Sequence, residues 1–210
     1  MLGWLLRARM PKDHFAEKAS SYEQNQERVD NVAQIARAIT NAIPFQPTME
    51  LMDFGSGTGL LLERIAPYVS KISAVDVSQA MQAQLREKLE RIPCKVEQLE
   101  LDLTETTLDR RFDGIISSMT LHHIHDVPAL LKTFHHLLRE NGFIALADLD
   151  LEDGSFHTHD TGVHHAGFKR DELQRITAEA GFRDVTIVSA STLHKHERDY
   201  PVFLLTARRA

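Results

Sequence analysis

With 210 residues, 42% of them hydrophobic, the chain is long enough to bury one sizeable core, and a single domain over 1–210 is the expectation. Its 24 basic against 30 acidic residues, a formal charge of −6, exclude a surface built as a whole for nucleic acid, so no nucleic-acid partner is expected. The lone cysteine, Cys94, excludes an internal disulfide and a cysteine-based metal site, and points to a reducing, cytoplasmic setting.

The opening MLGWLLRARM has about six apolar residues before its arginines, too few for a signal-peptide core or a bilayer span, so no membrane partner is expected. Met10 offers a second start, and residues 1 to about 21 read as an extension leading into the domain. From 22 to 43, Val29, Val32, Ala33, Ile35, Ala36, Ile39 and Ile43 draw an apolar helical stripe, which Pro44 and Pro47 stop. Short β-like runs then alternate with amphipathic segments. They are strand 49–54, a helix from about 60, strand 72–77, helix 79–91 with Met81, Leu85, Leu89 and Ile92 on one face, and strand 95–101.

The alternation continues with strand 112–117 and a helix marked by Val127, Leu130, Leu131, Phe134, Leu137 and Leu138, for which Asn141 and Gly142 supply a left-handed stop. Strand 143–147 and a helix 171–180 ending at Gly181 follow. Strands separated by helices imply parallel crossovers and a sheet covered on both faces. The last two runs, 184–189 and 202–207, are joined by the short polar ASTLHKHERDYP, which suits an antiparallel pair. The expected fold is thus α/β and Rossmann-like, a seven-stranded mostly parallel sheet with one reversed strand near an edge.

In such a sheet the ligand crevice lies at the carboxyl ends of the strands. Gly55, Gly57 and Gly59 fall there, between strand and helix, where glycine allows positive φ and close approach of a ligand; a tight turn that binds nothing is the plainer alternative. A P-loop needs Lys and Ser/Thr after the last glycine, where this chain has Leu60 and Leu61. A dinucleotide turn needs G-x-G-x-x-G, and Leu60 stands at its third glycine. Asp76, 21 positions after Gly55, suits the two hydroxyls of a ribose or the start of the next helix. Asp102 suits an adenine amino group or the opening of a turn.

The ordered motifs LMDFGSGTG, SAVDVS, LELDL, FDGIISSMTLHHIHD, GFIALADLD and GFKRDELQRITAEAGFRDV, with a final two-strand hairpin, resemble the class I S-adenosylmethionine-dependent methyltransferases, in their small-molecule branch, over nearly the whole chain from about Phe15. The resemblance implies S-adenosyl-L-methionine as cofactor, a small-molecule substrate and methyl transfer by in-line displacement. It also implies that Asp53, Gly55, Ser56, Gly57 and Gly59 border the methionine part of the cofactor and that Asp76 takes the ribose hydroxyls. Val77 and Met81 would border the adenine, with Asp102 and Leu103 beside its amino group. Ser118 and Met119 would line the methionyl side, His123 would stand just beyond, and Tyr22 would cover the cofactor from the upstream stretch HFAEKASSYEQNQERV. Glu140-Asn141-Gly142 replaces the family's frequent Pro-Gly-Gly turn. The alternatives are an NAD-dependent oxidoreductase and a non-catalytic binding module on the same fold.

A general base is needed only where the acceptor loses a proton during transfer. Of the 12 histidines, His122, His123 and His125 follow strand four, and His157, His159, His164 and His165 follow strand five, so both groups leave the same sheet edge. His123 and His157 are the candidate catalytic residues. His135, His136, His194 and His196 read as boundary or solvent-facing side chains. His157, His159, Asp160, His164 and His165 with Asp148 and Asp150 offer metal-binding atoms, but without a spacing that fixes a geometry, and no metal is assigned.

Overall fold

A computed structural model describes residues 13–157, 162–195 and 197–210. Of the sequence features above, the extension up to residue 12, His159, Asp160 and His196 lie outside the described residues.

Helix α1 (Gln26–Ala42) starts where the Asn25 side chain accepts the Arg28 amide at 2.8 Å, and buries Val32, Ile35, Ala36 and Ile39. The elements that follow are β1 (Glu50–Phe54), α2 (Leu60–Ile65), β2 (Lys71–Asp76), α3 (Gln79–Arg86), β3 (Lys95–Glu100), β4 (Phe112–Ser118), α4 (Val127–Leu137), β5 (Leu138–Leu149), α5 (Arg170–Glu179), β6 (Phe182–Lys195) and β7 (Arg198–Arg209). They form one seven-stranded sheet in the order β3-β2-β1-β4-β5-β7-β6. β1 pairs in parallel with β2 (Leu51 beside Ile72) and β4 (Met52 beside Ile115), while β7 runs antiparallel to β5 and β6. The expected sheet, with one reversed strand next to an edge, is the sheet observed.

Alternating side chains feed two apolar layers. Leu51, Ile72 and Ala145 face Ile35, Ile39, Leu62 and Leu85 on one side, and Met52, Ile144 and Phe203 face Leu130, Phe134 and Leu173 on the other. The order of strands reverses between β1 and β4, so their carboxyl ends open a crevice between the two layers.

Several boundaries differ from the sequence expectation. α3 stops at Arg86, and Leu89–Arg91 forms a separate 3-10 turn, because Pro93 disfavours helix at Ile92 and the buried Lys88 turns to pair with Glu23 and with Glu63 at 3.0 Å. α4 is not stopped by Asn141: Leu138 is already extended and fully buried, and Asn141, at φ 61, makes a kink inside β5 where the register passes from Leu138 to Phe143. β6 and β7 are longer than expected at both ends, since the polar ASTLHK and RDY runs pair through Leu193 with Tyr200 and His194 with Asp199. Among the described residues no helix is long and apolar enough to cross a membrane.

Candidate functional site

The three glycines each sit at positive φ (68, 53 and 88°) and serve different ends. A Cβ on Gly55 would stand 2.3 Å from the Thr120 side chain, and one on Gly59, the residue that opens α2, would stand 2.6 Å from Leu85. Gly59 therefore lets two helices approach. A Cβ on Gly57 would meet nothing within 4 Å, because it would project into a cavity of about 860 Å³ at the carboxyl edge of the sheet. The Gly57 amide donates to Asp76 Oδ2 at 2.7 Å, so the loop is fastened to the end of β2.

Asp76 also accepts the Ser78 amide at 2.8 Å on its other oxygen, and Ser78, rather than Asp76, caps α3 by accepting the Met81 amide. Burial pushes the Asp76 carboxyl up, against the pull of these amides. Asp53, 1% exposed at the end of β1, is pushed up to about 8 by burial and then by the neighbouring Asp76 charge. Asp102 turns its Oδ1 to the Thr104 amide (2.8 Å) and hydroxyl (2.6 Å), which realises the turn-opening alternative while the residue still lines the cavity.

Tyr22, Asp53, Gly55, Ser56, Gly57, Asp76, Val77, Met81, Asp102, Leu103, Ser118, Met119, His123 and His157 all line this one cavity. Gly59 is the sole sequence-derived site residue that does not, and its smallness is explained by Leu85 instead. Tyr22 is covered by the Arg28 guanidinium, 3.9 Å from the ring centre. Met119 adopts φ 58, rare for a residue with a Cβ, and is held there by its amide donating to Ala147 O at 2.8 Å.

The histidine-bearing segments after β4 and β5 do meet. The amides of His164 and His165 both donate to the His122 carbonyl, and the rings of His122 and His123 are 4.2 Å apart, with His157 5.0 and 6.0 Å from them. His123 Nδ1 lies 3.1 Å from Gly162 O and its ring is met edge-on by Phe15. Burial, with the adjoining imidazoles second, pulls His123 and His157 each down to about 4. Both are neutral rings at ordinary pH.

One pair was not singled out from sequence. His122 Nδ1 lies 2.7 Å from Asp148 Oδ1, with side-chain exposures of 2% and 0%. Burial alone would raise Asp148, but His122 and the backbone amides of His122 and Leu149 outweigh it and hold the carboxyl below its ordinary value. The two residues are 26 positions apart, so no local spacing announces them. Asp150 is engaged elsewhere, accepting Arg170 Nε and Nη2 at 2.7 Å each. Asp148 and Asp150 are thus committed to His122 and Arg170, not gathered with the histidines into a ligand set.

Among the described residues, the buried Asp53 Oδ2, Ser56 Oγ, Thr58 Oγ1 and Ser118 Oγ have no hydrogen-bond partner, and these residues line the cavity around Gly57. Unpaired hydroxyls, an unpaired carboxyl oxygen and open space over Gly57 fit a polar ligand that brings its own hydrogen-bonding groups. This combination defines a ligand-binding α/β protein with its site at the switch point of the sheet.

A family model described as "Methyltransferase domain" matches residues 23–187. An uncharacterised methyltransferase of Schizosaccharomyces pombe is 29% identical over 157 residues, covering 67% of this chain and 55% of that protein. A malonyl-[acyl-carrier protein] O-methyltransferase of Geobacter sulfurreducens is 28% identical over 179 residues, covering 76% and 64%. The chain therefore spans a little over half to just under two thirds of these relatives. Among solved structures, the DhpI complex with S-adenosylhomocysteine (SAH) superposes with a TM-score of 0.72 at 19% identity, covering 94% of each chain. Haemonchus contortus phosphoethanolamine N-methyltransferase 2, in complex with S-adenosyl-L-methionine, does so at 0.70 and 15% identity, covering 84% of this chain and 52% of that one. The chain belongs to the methyltransferase-domain family.

Proposed function

We propose that this domain transfers a methyl group from S-adenosyl-L-methionine to a small-molecule acceptor in a cytoplasmic setting. The observation that carries the reading is the open space over Gly57, ringed by the unpaired polar atoms of Asp53, Ser56, Thr58 and Ser118. The bound cofactor would supply a methyl group on a positively charged sulfur, already activated for displacement.

Under this reading the chain's own task is holding and aligning. Asp53, Ser56, Gly57, Ser118 and Met119 hold the amino-acid end, and Gly55 shapes the turn beside them. Asp76 holds the ribose, Val77, Met81, Asp102 and Leu103 the adenine, and Tyr22 covers the site. His123 and His157 face the acceptor as neutral rings. Alignment of this kind supplies about 7–11 kcal/mol of a barrier in well-oriented intramolecular reactions.

The testing experiment is calorimetric titration with SAH and, separately, with NADH. Saturable binding of the first and none of the second is expected. The reverse result makes the protein an oxidoreductase, and binding of neither makes it a fold retained for interaction.

A further inference from the structure

We infer that His122 is the proton acceptor of the transfer and that Asp148 is its positioning residue, so that the acceptor molecule offers a hydroxyl or an acidic C–H to the methyl group. The inference rests on the methyl-transfer reading above and names the substrate class of that same site.

The tautomer follows from the donors around Asp148. Its Oδ1 accepts the Leu149 amide at 2.7 Å and its Oδ2 the His122 amide at 3.2 Å, and His122 Nδ1 approaches Oδ1 at 2.7 Å. Two backbone N–H groups occupy both oxygens, and an ionised carboxylate, acceptor at every lone pair, satisfies them. Nδ1 then carries the hydrogen and donates it. The lone pair is left on Nε2, in a ring that lines the cavity.

Structure alone does not require this pair. The turn that bears His122 is already pinned by Met119 N to Ala147 O and by the His164 and His165 amides to His122 O, each a backbone bond of 2.8–3.1 Å. Burying a carboxylate costs several kcal/mol where an apolar pair would pack without that cost. His122 meets its carboxylate partner at 2.7 Å. His123 and His157, held near 4, are poor bases.

The groups facing His122 are Asp148 from β5, His123 from its own turn and His157 from the segment after β5; His164 and His165 reach it through their backbones. In the step itself the acceptor atom forms a bond to the methyl carbon, and the sulfur–methyl bond breaks with its electron pair staying on sulfur. The proton of the acceptor passes to His122 Nε2, and the imidazolium so formed faces the Asp148 carboxylate. Water later takes that proton. A carboxylate acceptor has no proton to lose, and a neutral amine attacks through a free lone pair. Neither requires this arrangement.

The test compares the parent with His122→Asn, whose amide can keep donating to Asp148. Three readouts are used: SAH affinity by calorimetry, the tautomer of His122 by imidazole ¹⁵N NMR, and SAH formation with acetylacetone, 4-methylumbelliferone, benzylamine and benzoate as probe acceptors. We expect unprotonated Nε2 in the parent, SAH affinity in the variant within about threefold of the parent, and turnover of the diketone or the phenol falling at least about 100-fold in the variant. A protonated Nε2, turnover confined to the amine or the benzoate, no turnover of either proton-bearing probe, or equal turnover in the variant overturns the assignment. Failure of the parent to bind SAH instead overturns the methyltransferase reading beneath it.

Discussion

Replacing Gly57 by alanine separates the binding role of the glycine loop from its folding role. Gly57 sits at φ 53, where an alanine costs about 1–2 kcal/mol in backbone strain. Its new methyl meets no protein atom within 4 Å, so no clash adds to that cost. For a domain of this size such a loss lowers Tm by about 2–8 °C. The same methyl projects into the space proposed for the cofactor, and overpacking of about 1–3 kcal/mol there weakens SAH binding by about 5- to 150-fold. Thermal unfolding and calorimetry on the same sample read the two effects apart. Gly59→Ala is the control: its Cβ would lie 2.6 Å from Leu85 and outside the cavity, so stability falls more while the folded fraction binds SAH as the parent does. Parental affinity in Gly57→Ala would refute the reasoning, since the space over Gly57 would then not be the cofactor's.

Asp53, raised to about 8 when folded, binds its proton more tightly in the folded than in the unfolded chain. Its stabilisation is complete below about pH 4 and lost as the pH rises through about 8, so without ligand Asp53→Asn should gain Tm over the parent at pH 8.5 and not at pH 4; parallel curves would discard the buried-carboxylate account. Asp148→Asn should destabilise the fold by about 1–3 kcal/mol in urea titrations, because either orientation of the amide sets its NH₂ against the Leu149 or the His122 amide. Gly114→Ala places a Cβ 2.1 Å from the Phe143 ring, and should cost at least about 1–3 kcal/mol in the same assay without altering SAH affinity per folded molecule.

The parts of the site that sequence disclosed are those whose constraint is local. Gly57 is needed by its own backbone angle, and Asp76 lies at the end of a strand that hydrophobic alternation already delimits. Gly59 shows the limit of this: its φ is local, but its reason is Leu85, a helix away. The pairing of His122 with Asp148 joins neighbouring parallel strands across 26 residues, and registers of that kind are set by packing, not by spacing. The early end of α4 was hidden likewise. Asn141-Gly142 carries a helix-stop signal, yet pairing of Leu138 beside Phe112 had already drawn the chain into the sheet. Length of the last hairpin was obscured by polar residues on its outer face, which mask an inward alternation of Ser191 and Leu193.

That hairpin reaches beyond the body of the sheet and brings Leu193 and Lys195 to the cavity while His194, between them, stands 67% exposed. Its in-and-out rhythm has a period of two. Adding or removing two residues from each strand therefore preserves which side chains look inward and changes only how far the wall extends. The depth of the cavity at this end is thus set by a module that stands apart from the layered core.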